Sequence, residues 1–194
     1  ACLARNGHEV MGVDVAESKV EAIRNGRSPI GETGVDRLIA DAVAEGRMGA
    51  TPEAAEAVAG CEVSFICVGT PTGADDGHDY GALERSVRAI GEVLAETDAY
   101  HVVVVRSTVA PGITESTVIP ALEAASGKRV GEDFGVAFNP EFLREGTAIR
   151  DFDHPPKTVI AASDDRAFQV VRSLYEDLPA PLLRASYKEA EMVK

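Results

Sequence analysis

Short apolar segments alternate with helix-like patterns along this chain, and several of the segments are apolar at every position. In His101–Ser107, four consecutive valines would give a strand two apolar faces. Strands of this kind are typical of parallel sheets that are covered by helices on both sides. The alternation of strands and helices therefore predicts an α/β fold with a doubly wound, mostly parallel sheet.

Hydrophobic periodicity and turn residues set the predicted boundaries. The helical pattern is strongest where Leu83, Val87, Ile90 and Leu94 recur at helical spacing. Strands are predicted at Glu9–Val13, Val63–Gly69, His101–Ser107, Gly135–Asn139 and Lys157–Ala161, with a less distinct extended segment at Met48–Thr51. Helices are predicted at Ser18–Asn25, Val35–Glu45, Pro52–Val58, Tyr80–Glu96, Gly112–Ala125 and Asp165–Asp177.

Composition narrows the class of protein. The chain has 194 residues, of which 45% are hydrophobic, and a net charge of -13, which together indicate one well-buried, acidic globular domain. The negative charge argues against a nucleic-acid partner, because a phosphate backbone requires a basic surface. No apolar run is long enough to cross a membrane and no signal-peptide pattern opens the chain, so we expect no membrane association.

The three cysteines predict neither a metal site nor a nucleophile. Cys2, Cys61 and Cys67 lack the spacing of metal ligands. Cys67 falls inside a predicted apolar strand, so we expect a reduced thiol in the core. A reduced cysteine suits a cytoplasmic protein.

The first residues fit part of a dinucleotide-binding unit. In such a unit a strand, a glycine-rich turn and a helix are followed by a second strand that ends in an acidic residue. Ala1–Asn6 fits the end of that helix, Glu9–Val13 fits the second strand, and Asp14 fits the acidic residue. We therefore expect the first strand and its glycine loop to precede Ala1, which makes this chain a fragment. The alternative is that Asp14 only caps the next helix.

Four stretches stand where strands give way to loops. They are FICVGTPT (65–72), VVRSTVAPG (104–112), FNPEFLREGTAIRDF (138–152) and YKEAEMVK (187–194). The glycine-rich stretch that continues from the first of them, residues 69–81, is predicted to be a loop at the ligand-binding edge of the sheet. Each stretch alone has a structural explanation. Pro turns, Ser or Thr helix caps, helix-start carboxylates and a solvated lysine would account for them.

Taken together and in this order, the stretches resemble the UDP-glucose/GDP-mannose 6-dehydrogenase family along essentially the whole chain. The early segments GHEVMGVDV (7–15), NGRSPIGETGVDRLI (25–39) and CEVSFICVGTPT (61–72) match the family too. HPPKTVIA (154–161) is nearer to the GDP-mannose branch than to the UDP-glucose branch. The resemblance implies a Rossmann-like NAD-binding domain over residues 1–183, the start of a central linker helix over residues 184–194, and a homodimer.

The resemblance also implies a reaction. Such enzymes use two molecules of NAD⁺ to oxidise the C6 alcohol of a nucleotide sugar to a carboxylate, through an aldehyde that a cysteine captures before water releases the acid. The family's nucleophilic cysteine lies in a Gly-rich stretch beyond the central helix, and nothing in this chain matches it. We therefore expect the isolated chain to be inactive. We also expect it to bind NAD⁺ poorly, because the glycine loop and helix N-terminus that supply the pyrophosphate site are expected to precede Ala1.

Residues of this chain can be matched to the family's cofactor contacts. Asp14 would accept hydrogen bonds from the adenosine ribose, with Lys19 as a nearby cation. The remaining cofactor contacts implied by the resemblance are Val68, Gly69, Thr70, Ser107, Thr108 and Glu145.

Other residues match the family's substrate and catalytic positions. Thr108 would orient the hydrolytic water, and the ammonium of Lys194 would stabilise negative oxygens on the sugar. Glu141 is the preferred general base, and Glu145 is the alternative. Both glutamates could approach the sugar and the nicotinamide. The substrate contacts implied by the resemblance are Glu141, Phe142, Leu143 and Lys194.

Three functions remain open at this point. The preferred one is the N-terminal part of a GDP-mannose 6-dehydrogenase, with UDP-glucose as the alternative substrate. The second is a dinucleotide-binding module that has lost its chemistry, although such a module would have no use for Lys194. The third is an enzyme of the β-hydroxyacid dehydrogenase type, which would leave FNPEFLREG unexplained.

Overall fold

A computed structural model describes residues 1–73 and 77–194 of the chain. The predicted loop over residues 69–81 includes residues 74–76, which lie outside the described residues. The chain divides into two compact units, one made of residues 1–57 with 142–155 and the other of residues 58–141 with 156–194. No helix in the described part of the chain has the length and apolar character needed to cross a membrane.

The first unit is built on a pair of parallel strands. Strand β1 (Val10–Val13) pairs with β2 (Met48–Thr51), with Val10 opposite Met48. Both strands were predicted, and the weaker extended segment is thus confirmed. The helices of this unit are α1 (Cys2–Arg5), α2 (Glu17–Arg24), α3 (Val35–Ala44) and α7 (Ala148–Asp153). Apolar side chains of α2 and α3, including Val20 and Ile39, are buried against the strands.

The second unit contains a five-stranded sheet in the order β3-β4-β5-β6-β7. Its strands are β3 (Val63–Ile66), β4 (Val102–Val105), β5 (Gly135–Phe138), β6 (Thr158–Ala162) and β7 (Leu182–Arg184). All neighbours are parallel except β5 and β6, so the predicted mostly parallel sheet is confirmed. The four valines of β4 are 0% exposed, as expected for a central strand that helices cover on both faces.

Helices α5 (Gly81–Ala95), α6 (Ile119–Ser126), α8 (Asp165–Ser173) and α9 (Tyr187–Met192) belong to the second unit, and α4 (Ala54–Ala59) lies at the boundary in sequence. The periodic apolar residues of α5 are buried, as predicted. The single helix predicted over Gly112–Ala125 instead begins with a π-helical turn, Thr114–Val118. Pro120 has no N–H to donate to Ser116, so a regular α-helical pattern cannot continue through this point.

Two short elements were missed, and one prediction was wrong. Helix α7 and strand β7 are too short to show a periodic pattern, and β7 is defined by its pairing with β6. Cys67 is exposed and follows β3, so the predicted core thiol is wrong. The strand ends early because the N–H groups of Arg106 and Ser107 both donate to the carbonyl of Ile66, which turns the following residues away from the ladder.

A buried imidazole makes the stability of the second unit depend on pH. Nδ1 of His101 lies 2.9 Å from the Cys61 carbonyl oxygen, and Nε2 lies 2.9 Å from the Ser64 hydroxyl. This arrangement suits a neutral ring whose Nδ1–H donates to the carbonyl and whose Nε2 accepts from the hydroxyl. Burial lowers the pKa of His101, with a smaller opposing contribution from the hydrogen bond to Cys61.

We predict that acid weakens the fold through His101. Because the unfolded imidazole binds a proton below about pH 6.5 while the folded one stays neutral, the free energy of unfolding falls as the pH drops through that value. The contribution has a limiting slope of about 1.4 kcal/mol per pH unit. Urea unfolding between pH 7.5 and 5.5 should show a smaller pH dependence for His101→Gln than for the parent. Parallel pH curves for the two proteins would contradict this assignment.

Candidate active site

Two loops at the carboxyl ends of β3 and β4 are joined by side-chain hydrogen bonds. The hydroxyl of Ser107 donates to the carbonyl of Val68 at 2.6 Å, and the hydroxyl of Thr70 donates to the carbonyl of Thr108 at 2.6 Å. These two hydrogen bonds bring together four of the residues that were predicted to contact the cofactor. The predicted edge of the sheet is therefore where the structure places them.

The surface of these loops is open. Thr108 and Gly69 are exposed. A Cβ atom placed on Gly69 would find no described atom within 4 Å, apart from its own chain neighbours. The far end of the second loop is fixed by Ala110, whose N–H donates to the Tyr80 hydroxyl at 2.9 Å. Within the described residues, the backbone at Gly69 is therefore open on the side where a side chain would project.

Lys194 and Glu141, which the sequence placed in one site, form an ion pair. Nζ of Lys194 lies 2.9 Å from Oε1 of Glu141 and donates to the carbonyl of Arg106 at 3.2 Å. The two side chains are 16% and 31% exposed. Glu189 is engaged elsewhere, because it forms a capping box with Ser186 at the start of α9. Lys194 is therefore held against the sheet edge instead of being freely solvated.

Asn139, two residues before Glu141, is the centre of a buried polar network that the sequence did not indicate. Asn139 is 2% exposed. Its Oδ1 accepts from Nη1 of Arg106 at 2.6 Å and from the Tyr175 hydroxyl at 2.7 Å, and its Nδ2 donates to the Val159 carbonyl at 2.8 Å. Burial is the main cause that raises the pKa of Tyr175. The network connects the residues that follow β4, β5 and α8 with strand β6.

A second buried carboxylate was also missed. Glu191 on α9 is 4% exposed and accepts hydrogen bonds from the N–H groups of Gly112 and Thr114, the latter at 2.8 Å. These N–H groups lie at the start of a helical segment, where a carboxylate is favoured. Glu191 therefore attaches α9 to the end of the loop that carries Thr108. No capping rule could find it, because donor and acceptor are far apart in sequence.

In the first unit, Asp14 and Lys19 lie side by side. Oδ2 of Asp14 lies 2.9 Å from Nζ of Lys19, and Oδ1 accepts from the N–H of Ala16 at 2.9 Å. The N–H of Ala16, and then the ammonium of Lys19, lower the pKa of Asp14. Asp14 is not the cap of α2, because the N-cap residue is Ala16 and no side chain caps that helix.

The first unit also contains the other predicted residues of the FNPEFLREG stretch. Phe142 is half-buried, while Leu143 and Glu145 are exposed. In the part of the chain that the structure describes, the Glu145 side chain takes part in no hydrogen bond or ion pair, and no three metal-binding side chains cluster. Phe142, Leu143 and Glu145 thus lie in a different compact unit from Glu141 and Lys194.

Each unit carries a feature that is typical of a dinucleotide-binding α/β domain of the Rossmann type. The first has an acidic residue after a parallel strand, and the second has loops joined at the carboxyl ends of neighbouring strands. Comparison with known proteins identifies the family to which this domain belongs. Residues 1–179 match the family described as "UDP-glucose/GDP-mannose dehydrogenase family, NAD binding domain", and the chain belongs to this family.

Known relatives agree with this assignment. A GDP-mannose 6-dehydrogenase of Pseudomonas putida is 49% identical over 195 aligned positions, covering 100% of this chain and 44% of the relative. A solved ternary complex of GDP-mannose dehydrogenase from Pseudomonas aeruginosa superposes with a TM-score of 0.98 at 46% identity, covering 100% of this chain and 44% of that one. A UDP-glucose dehydrogenase from Pyrobaculum islandicum gives a TM-score of 0.93 at 42% identity, covering 98% and 44%. The chain therefore spans less than half the length of these relatives.

We predict that Asn139 stabilises the second unit more than Tyr175 does. Asn139→Ala leaves the Arg106 guanidinium and the Tyr175 hydroxyl without their shared acceptor, which should lower the free energy of unfolding by about 3 kcal/mol. Tyr175→Phe leaves the contact between Arg106 and Asn139 in place and should cost about 1 kcal/mol. Urea unfolding of both variants measures the difference. Equal losses would show that Asn139 is not the centre of the network.

Proposed function

We propose that this chain is the N-terminal, NAD-binding part of a nucleotide-sugar 6-dehydrogenase that oxidises the C6 alcohol of GDP-mannose to a carboxylate. The observation that carries the proposal is the contact between Lys194 and Glu141, at the sheet edge of a member of this family. A bare dinucleotide-binding module has no need for a held lysine beside a carboxylate. The proposed extents are residues 1–183 for the cofactor domain and 184–194 for the start of the linker helix.

NAD⁺ is the cofactor that the residues fit. Asp14 offers a fixed carboxylate to the adenosine ribose, and Lys19 supplies the neighbouring positive charge. In the second unit, the open backbone at Gly69 and the loop residues Val68, Thr70, Ser107 and Thr108 contact the cofactor. When bound, NAD⁺ accepts the hydride that leaves C6 of the sugar.

The chain's own residues prepare the sugar for this transfer. The ammonium of Lys194 stabilises the negative charge that develops on the sugar oxygen as its proton leaves, and this alkoxide then expels the hydride from C6. Glu141, 2.9 Å from that ammonium, takes the proton of the hydroxyl. In the later hydrolytic step, after Glu141 has released that proton to solvent, the exposed hydroxyl of Thr108 orients the attacking water and Glu141 accepts the proton of that water.

The remaining residues of the FNPEFLREG stretch complete the proposal. Phe142 and Leu143 contact the hexose, and Glu145 contacts the substrate or the cofactor and is the alternative base. GDP-mannose is preferred over UDP-glucose because the Pseudomonas relatives with 46–49% identity are GDP-mannose 6-dehydrogenases, whereas a UDP-glucose 6-dehydrogenase of Haloferax volcanii is 39% identical. We also propose that the complete protein is cytoplasmic and that it is a homodimer, the latter as the family resemblance implies.

We predict that the complete protein, meaning this chain with any segments that flank it in its gene, reduces two molecules of NAD⁺ per molecule of GDP-mannose and reacts more slowly with UDP-glucose. Lys194→Met keeps the length of the side chain and removes its charge. It should slow the first oxidation by about 10²- to 10³-fold in single-turnover measurements of NADH absorbance, because a donor to the developing oxyanion is lost.

The matched control for Lys194→Met is Lys188→Met, which removes an exposed lysine from α9. This control should keep the parent rate. Equal rates for parent and Lys194→Met would remove the catalytic role of Lys194. A complete protein that oxidises neither nucleotide sugar would overturn the proposed function.

We predict that Asp14 sets the preference for NAD⁺ over NADP⁺. Its carboxylate would accept from the ribose hydroxyls and repel a 2′-phosphate. Asp14→Asn should therefore reduce the ratio of kcat/KM for NAD⁺ to that for NADP⁺, while Glu17→Gln, an exposed change at the start of α2, should leave the ratio unchanged. If the ratio is unaltered in Asp14→Asn, the carboxylate does not select the cofactor, and its role is limited to the contacts with Ala16 and Lys19.

A further inference from the structure

A single carboxylate gathers the hydrogen bonds of the segment that precedes α7. Oδ2 of Asp151 accepts from the N–H of Arg144 at 3.0 Å, from its Nε at 3.0 Å and from the Thr147 hydroxyl at 2.9 Å. Oδ1 accepts from Nη2 of Arg144 at 2.7 Å. Asp151 is 8% exposed, so these donors replace water around its charge.

A second carboxylate, from far away in the sequence, binds other N–H groups of the same segment. Oε2 of Glu32 accepts from the N–H of Gly146 at 2.7 Å, and Oε1 accepts from the N–H of Ala148 at 3.0 Å. The neighbouring residues pack closely, because a Cβ atom on Gly34 would lie 3.2 Å from Cδ1 of Ile149. Glu32 thereby satisfies N–H groups at the start of α7 that no residue of that helix can satisfy.

The segment between these two carboxylates is a tight turn. The N–H of Thr147 donates to the carbonyl of Arg144 at 3.2 Å, which makes Glu145 and Gly146 the two central residues. Gly146 has a φ of +82°, as the third residue of a type II turn requires. The backbone on each side of Glu145 is therefore fixed, while its own side chain is exposed.

Glu145 and Glu141 differ in this respect. The Glu141 carboxylate is paired with Lys194, whereas the Glu145 carboxylate has no partner within the described residues. A turn whose backbone is held by two carboxylates and whose corner side chain points outward is suited to present that side chain to a ligand. Preorganisation of this kind reduces the cost of ordering a catalytic group when the ligand binds.

We propose that Asp151 and Glu32 are positioning residues, which hold the turn of residues 144–147 so that the Glu145 carboxylate meets the bound substrate or cofactor in one direction. This inference rests on the proposed function, since Glu145 acts on the ligands of that reaction. Neither Asp151 nor Glu32 touches those ligands. The Arg144 side chain is 75% exposed, and its guanidinium supplies two of the donors to Asp151.

The experiment is a double-mutant cycle in the complete protein. Asp151→Asn replaces an acceptor-only carboxylate by an amide whose NH₂ group faces the Arg144 donors. Glu32→Gln makes the corresponding change at the carboxylate that accepts from the N–H groups of Gly146 and Ala148. Each change should lower kcat for nucleotide-sugar oxidation by about 10²-fold at most, the cost of a small misplacement of a catalytic group. In a Glu145→Gln background the same changes should lower kcat no further, because they act only through Glu145.

A purely structural role predicts a different pattern, in which Asp151→Asn and Glu32→Gln lower kcat by the same factor in both backgrounds. That result, or full activity in both single variants, would overturn the inference. Glu9→Gln is the matched control, an exposed carboxylate elsewhere in the first unit, and should leave kcat at the parent value. Should Asp151→Asn fail to fold, Glu32→Gln decides the question alone.

A readout without catalysis separates this inference from the proposed function. Hydrogen–deuterium exchange at the amides of Gly146 and Ala148 should accelerate in Glu32→Gln and stay unchanged in Glu9→Gln. Unchanged exchange in Glu32→Gln would show that Glu32 does not hold the turn and would overturn the inference. A parent that oxidises no nucleotide sugar, yet shows the expected exchange, would instead overturn the proposed function and with it the role assigned to Glu145.

Discussion

The complete burial of β4 is the constraint on which the second unit depends. Four consecutive valines can be removed from water only if strands flank β4 and helices cover both of its faces, and β3 and β5 supply the flanking backbone partners. Parallel pairing then brings the carboxyl ends of these three strands to one edge. The residues that follow, near Gly69, Thr108 and Glu141, therefore share that edge whatever their chemistry.

The elements that were predicted correctly are those with a repeated local signal. Helix α5 has apolar residues at helical spacing, and the buried strands are unbroken apolar runs. The errors concern features that tertiary contacts decide. Cys67 stands in an apolar run, yet β3 ends at Ile66, whose carbonyl accepts from the N–H groups of both Arg106 and Ser107, the residues that follow β4. Strand β7 exists only because β6 lies beside it.

The residues of the candidate site likewise fall into those that the sequence indicated and those that only tertiary contacts reveal. Asp14, Glu141 and Lys194 could be proposed as site residues because the resemblance supplied their positions, and the structure places Lys194 beside Glu141. Asn139 and Glu191 gave no such signal. Each is a polar residue that a local rule would place on the surface, and each is buried because its hydrogen-bond partners come from distant parts of the chain.

The reversal of direction at β6 places the turn that follows this strand at the opposite end of the sheet from the loops that follow β3, β4 and β5. Because β6 runs antiparallel to β5, the chain leaves β6 on the side where β4 begins, and the Tyr100 hydroxyl accordingly contacts Asp164 at 3.1 Å. The turn after β6 is thus separated from the loops that follow β3, β4 and β5 by the length of the strands. A fluorescent label or an affinity tag introduced in the turn after β6 is therefore placed away from the loops near Gly69, Thr108 and Glu141, so the turn and these loops can be engineered independently.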